Sequence, residues 1–148
     1  MSVYGDKAEK LFREGYNCAQ AVLIAFEDIT KLDRTTAAAI SSSFGGGLGR
    51  MREVCGAVSG SSMVLGIVKG NYNPDDNIAK TEHYHLVQEF AKRFKEKNGS
   101  IICRELLKGV NTVDGNAPEK RSKTYYKKRP CPIIVRDSAD ILADMLNL

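Results

Sequence analysis

REVCGAVSGSSMVLG, residues 52–66, reads as a buried helix that carries a cysteine and three glycines, Cys55, Gly56, Gly60 and Gly66. Each interior glycine costs about 1 kcal/mol relative to alanine in a helix, so this many of them point to a neighbour that needs the room. Gly56 and Gly60 are four apart and share one helical face, flanked by Cys55, Ser59, Met63 and Gly66. That face is a groove into which another backbone can pack closely. The same groove exposes the Cys55 sulfur at a helix N-terminus, where amide dipoles lower a thiol pKa from ~8.5 toward 7. Arg50 and Arg52 would add to this effect and Glu53 would oppose it. Close packing and thiol activation are both open readings of this stretch.

Outward from it, the chain reads as helix after helix. Asp6–Glu14 is one segment, stopped by Gly15, and Asn17 caps a second that runs through AQAVLIAF to Glu27. Asp33 or Thr35 caps a short helix ending at FGGGLG, residues 44–49, and Gly70 closes the helix predicted from Glu53 to Val68. A long helix is predicted from Pro74 and Asp75 to Lys97, with its apolar stripe at Ala79, Leu86, Val87, Phe90 and Phe94. Ser100 caps a short helix around Cys103, residues 110–130 read as a long basic loop, and Asp137 or Ser138 caps a last helix. No alternating run supports a sheet. The expectation is all-α: one compact bundle of about six helices, residues 1–148, with a long basic loop before the C-terminal helix.

Composition fits a soluble domain: 43% hydrophobic, 27% charged, and a mild net charge of +4 from 22 basic and 18 acidic residues. The apolar run near residues 54–68 is broken by glycine and serine and is shorter than the ~20 residues a membrane span requires. The N-terminal MSVYGDKAEK lacks the features of a secretory or transit segment, so a cytoplasmic location is expected. In that reducing setting the four cysteines are expected to rest as thiols.

Those cysteines, Cys18, Cys55, Cys103 and Cys131, are too far apart for any CxxC, haem-attachment or zinc-ribbon motif, so only the fold could cluster them. Cys18 falls in the first turn of a helix, as Cys55 does. Cys131 lies in KKRPCP, read as an extended segment in which Lys127, Lys128 and Arg129 favour an exposed thiolate. Cys103, among Ile101, Ile102 and Leu106, reads singly as a core residue.

Other motifs are weaker. The GGGLG run meets neither nucleotide-binding fingerprint. His83 and His85 point to different helix faces, and Glu82–His85 is a single copy of a spacing that di-iron bundles need twice. EKRSKTYYKKRP, residues 119–130, interleaves bases with Tyr125 and Tyr126, but no nucleic-acid-binding module surrounds it and no nucleic-acid partner is expected.

GYNCAQAVL around Cys18, FGGGLGRMREVCGAVSG, ICRELL around Cys103 and RPCP around Cys131 together resemble the bacterial and archaeal C-GCAxxG-C-C family, described as redox-active. The resemblance covers nearly the whole chain. It implies a helical domain whose four cysteines act together in redox or metal chemistry, and it associates the family with transporter gene neighbourhoods. A related domain occurs in multihaem cytochromes, but haem is not implied here.

Three readings follow. The first is a redox domain in which Cys18, Cys55, Cys103 and Cys131 exchange between dithiol and disulfide, an oxidoreductase-like activity with Cys131 as attacker and Cys55 or Cys18 as its resolving thiol. Its variant has the same four thiolates ligating zinc or an iron–sulfur cluster. The second is a non-catalytic sensor for a redox partner protein or a transporter. The third is a structural helical protein with buried thiols.

Overall fold

The computed structural model describes residues 1–148. The chain forms nine helices: α1 (Val3–Arg13), α2 (Cys18–Ala25), α3 (Glu27–Thr30), α4 (Arg34–Ser41), α5 (Gly56–Lys69), α6 (Asn77–Asn98), α7 (Cys103–Leu106), α8 (Lys123–Lys128) and α9 (Cys131–Met145). A 3-10 turn at Ser42–Phe44 follows α4. There is no sheet, and the all-α expectation holds. The number of helices exceeds the expected six or so because α3 and α8 are turns of four and six residues, too short to show a period.

α2 is the hub. Its residues Ala19 and Ala21 to Ala25 are all buried, so it presents an apolar surface on every side. Asn17 begins it with a capping box: its side chain accepts from the Gln20 N–H at 2.9 Å, and the Gln20 side chain accepts from the Asn17 N–H at 3.0 Å. α1, α5 and α9 enclose α2, and Phe12, Phe26, Phe90 and Phe94 fill the largest core positions. On α6 only Phe90 and Phe94 are buried, whereas Ile78 and Tyr84 near its start are exposed. The predicted stripe therefore packs only along the helix's C-terminal half.

The two glycines four apart do what their spacing implies. A Cβ on Gly60 would lie 2.7 Å from the Ala19 carbonyl oxygen, and one on Gly56 would lie 2.9 Å from the Phe44 carbonyl oxygen and 3.2 Å from Cys18 Cβ. α5 thus crosses α2 at backbone contact, beside Cys18. Gly66, by contrast, has nothing within 4 Å and makes no such contact.

Two boundaries differ from the sequence reading. α9 starts at Cys131 instead of near Asp137, because the first helical turn has no N–H to bond inward and so accepts Pro132 without loss. Ser138 is then a mid-helix residue, and its buried hydroxyl bonds Ser61 at 2.8 Å and donates to the Ala57 carbonyl at 3.0 Å, joining α9 to α5. The long basic loop is interrupted by α8, whose Tyr126 packs edge-on against Phe12 and donates to the Arg13 carbonyl at 3.0 Å. Neither that ring nor Tyr125, packed against it, is free to stack on a base.

Candidate functional site

Three local devices bring four distant cysteines together. The first is the α2–α5 crossing, which sets Cys18, the first residue of α2, against the start of α5, where Cys55 is the N-cap. The second is a short antiparallel pairing outside any sheet. Val54 bridges Ile102, the Cys55 N–H donates to the Ile101 carbonyl at 2.8 Å, and the Cys103 N–H donates to the Glu53 carbonyl at 2.6 Å. The third is α9, whose first residue is Cys131.

The segment feeding this pairing is a coil of left-handed residues: Gly46, Gly47, Leu48, Gly49, Arg50 and Arg52 all have φ between 54° and 71°. Non-glycine residues there carry strain of order 1 kcal/mol each, so the surrounding contacts must hold them. Gly47 is required twice over, by its φ of 71° and because a Cβ would lie 2.7 Å from both Cys103 Cβ and the Glu53 nitrogen. The glycine run is a close-packed turn that delivers Arg50, Arg52 and Cys55 to one place.

That place is a cavity of about 480 Å³ with all four cysteines in its wall. Their environments differ. Cys18 and Cys131 are half-buried neighbours in that wall. The Cys18 thiol lowers Cys131 to about 7 against the loss of solvent, with further help from the Arg129 guanidinium, while Cys131 and burial push the Cys18 pKa far up. Cys55 is buried at the N-cap, and desolvation outweighs its backbone N–H contacts, raising it to about 12. Burial also raises Cys103, opposed by Arg52, whose Nη1 donates to Cys103 Sγ at 3.9 Å.

Against the sequence reading, Cys55 occupies the helix N-terminus expected of it, but burial raises its pKa where amide dipoles alone would lower it. Cys131 is neither in an extended segment nor fully exposed, and the adjacent Lys127 and Lys128 point to solvent while buried Arg129 faces it. Cys103 is buried, as its neighbours in sequence suggest, and also lines the cavity. Glu53 pairs with Arg104 at 2.7 Å on the surface, away from the thiols.

Sequence reasoning missed Arg121 and Glu119. Arg121 lies over the Phe12 ring at 4.3 Å and donates to the Phe12 carbonyl at 2.7 Å. Glu119 pairs with Arg129 and sits 3.5 Å from Arg50 and 3.8 Å from Arg52. Burial pushes its carboxyl up, but the Val113 N–H and these arginines hold it below the ordinary value. Only their place in a basic, cysteine-ending stretch hinted at either residue. His83 is half-buried, packs near Tyr72 at 5.8 Å, and lies outside the cavity wall.

The cavity gathers four sulfurs without forming a cage: no group of three or more histidine, cysteine or carboxylate side chains is placed to hold a metal ion.

Cys55 carries a direct consequence for stability. In the unfolded chain its thiol ionises from about pH 9, whereas in the native state it stays protonated to about 12. Between those values the unfolded state binds fewer protons, so this residue's contribution is complete below pH 9 and about 1 kcal/mol of it is gone by pH 10. Urea unfolding of Cys55→Ala should show a smaller drop in stability from pH 8 to pH 10 than the parent chain. Equal drops would mean that the thiol is not desolvated.

A family model described as "Putative redox-active protein (C_GCAxxG_C_C)" matches residues 16–145. No curated protein and no solved structure matches the chain.

Proposed function

The chain belongs to the C_GCAxxG_C_C family, and from that premise we propose that it is a thiol–disulfide exchange protein in which Cys131 is the nucleophile and Cys18 the resolving thiol. What supports this reading is the placement of Cys18 and Cys131 together in the cavity wall with Arg129, the Cys18 thiol and the Arg129 guanidinium lowering the Cys131 pKa to about 7. A thiol with a pKa near ambient pH is the best attacker, being both ionised and still nucleophilic.

In the exchange, the Cys131 thiolate attacks one sulfur of a substrate disulfide, the S–S bond breaks, and the distal sulfur leaves as a thiolate that takes the Cys18 proton. Cys18 then attacks Cys131 Sγ of the mixed disulfide and expels the second substrate thiolate. The protein is oxidised by two electrons to a Cys18–Cys131 disulfide and the substrate is reduced to one thiol and one thiolate, the latter taking any further proton from solvent. Arg129 stabilises the anion at Cys131 before attack and on its departure. Cys55 and Cys103 form the remaining wall, and their raised pKa values keep them protonated while the pair reacts.

The test is the pH dependence of iodoacetamide alkylation, read by peptide mass. Cys131 should react first, with an inflection near pH 7, and Cys18→Ala should move that inflection upward because the donor to the thiolate is lost. Oxidised protein should lose two hydrogens and yield a Cys18–Cys131 cross-linked peptide, absent in Cys131→Ser. An inflection above pH 8 in the unaltered chain, or a disulfide joining another pair, would overturn the assignment.

A further inference from the structure

The cavity that holds the reacting pair is strongly one-sided in charge. Arg50, Arg52, Arg121 and Arg129 line it, and Glu119 is the only carboxylate among the lining residues. The remaining acceptors for these guanidinium groups are neutral. Arg50 donates to the Gly115 and Val113 carbonyls at 2.6 and 2.8 Å, and Arg121 donates to the Phe12 carbonyl. Carbonyls saturate donors without cancelling charge, so about three positive charges stay unneutralised around a space of about 480 Å³. Counting the Cys131 thiolate still leaves an excess.

Arg52 is the least committed of the four. Its contacts are the long ones, 3.9 Å to Cys103 Sγ and 3.8 Å to Glu119, and it is held there from a backbone at φ 62°. Its side chain is nevertheless only 15% exposed. A guanidinium kept out of solvent with donors to spare is suited to bidentate recognition of a carboxylate. The cavity is in the size range of small-molecule sites, and the sulfurs sit in its wall, not on a protruding surface.

We propose that the cavity selects a small carboxylate-bearing disulfide, its carboxylate on Arg52 and its S–S bond at Cys131, with the corresponding anionic thiol as product. This substrate class rests on the exchange chemistry proposed above, whose atoms and electrons balance with the disulfide as oxidant. The reverse reaction, two anionic thiols reducing the Cys18–Cys131 disulfide, resets the protein and uses the same contacts.

The experiment compares three disulfides of similar size on the reduced protein: dianionic 3,3′-dithiodipropionate, neutral 2-hydroxyethyl disulfide and dicationic cystamine. Each rate of Cys131 oxidation is divided by the rate of the same disulfide with a simple thiol in solution, which removes leaving-group differences. At low salt the normalised rates should fall in the order dianion, neutral, dication, with about tenfold or more between first and last, and high salt should compress them. Arg52→Gln should lose most of the dianion's advantage over the neutral disulfide. Equal normalised rates for the three, or the dication fastest, overturn the substrate class while leaving the reactive pair intact. If none of the three forms the Cys18–Cys131 disulfide, the exchange reading and this inference both fail.

Discussion

Gly60→Leu should unfold at far lower urea than the parent chain, with a loss of about 3 kcal/mol or more, roughly a hundredfold in the folding equilibrium. A first carbon at this position already stands 2.7 Å from the Ala19 carbonyl oxygen and 3.2 Å from Ala19 Cα. These are backbone atoms of the central helix and cannot rotate aside as a side chain would. Leucine gains about 1 kcal/mol in helix propensity over glycine, too little to offset the separation of α5 from α2. The site would suffer as well, since Cys18 precedes Ala19 and its hydrogen bond to Cys131 depends on where α2 lies. Any folded fraction should therefore show Cys131 alkylation shifted to higher pH. Gly66→Ala is the control on the same helix: with nothing within 4 Å it should be neutral or stabilising by up to about 1 kcal/mol. A Gly60→Leu variant as stable as the parent would show that the crossing is not close.

What could be read from the sequence was local or periodic. Asn17 announced the start of α2, Asp33 or Thr35 that of α4, and the Gly56–Gly60 spacing announced a close neighbour, which is the cysteine-bearing start of α2. What escaped depends on contacts between distant segments. No local pattern shows that Val54 bridges Ile102, and without that bridge Cys103 is one more thiol among apolar residues. The beginning of α9 escaped for a different reason: two prolines around Cys131 resemble an extended segment, yet the first turn is where a helix tolerates them. For Cys55 the sequence left close packing and thiol activation both open, because a helix start shows its amide dipoles locally but not the burial that raises this thiol.

Oxidation of the pair should raise stability, and pH should set by how much. A Cys18–Cys131 bond would close a loop of more than 100 residues, and the lost chain entropy of the unfolded state favours the folded form by about 4–5 kcal/mol. Against this, the disulfide removes a stabilised thiolate. Cys131 is depressed on folding to about 7, so its contribution to the reduced protein is present above the unfolded value near 9 and is lost as pH falls through about 7. At pH 7 that contribution is below about 1 kcal/mol, and at pH 9 it is about 2 kcal/mol. Cys18 subtracts from it only at higher pH, where the unfolded thiol ionises and the native one does not. The entropy term wins throughout, so urea midpoints of oxidised protein should exceed those of reduced protein, by a margin that narrows between pH 7 and pH 9. A margin that widens with pH would place the proton on the wrong sulfur. Oxidised protein less stable than reduced would mean that the helices resist the bond, and that the pair works as a strong oxidant.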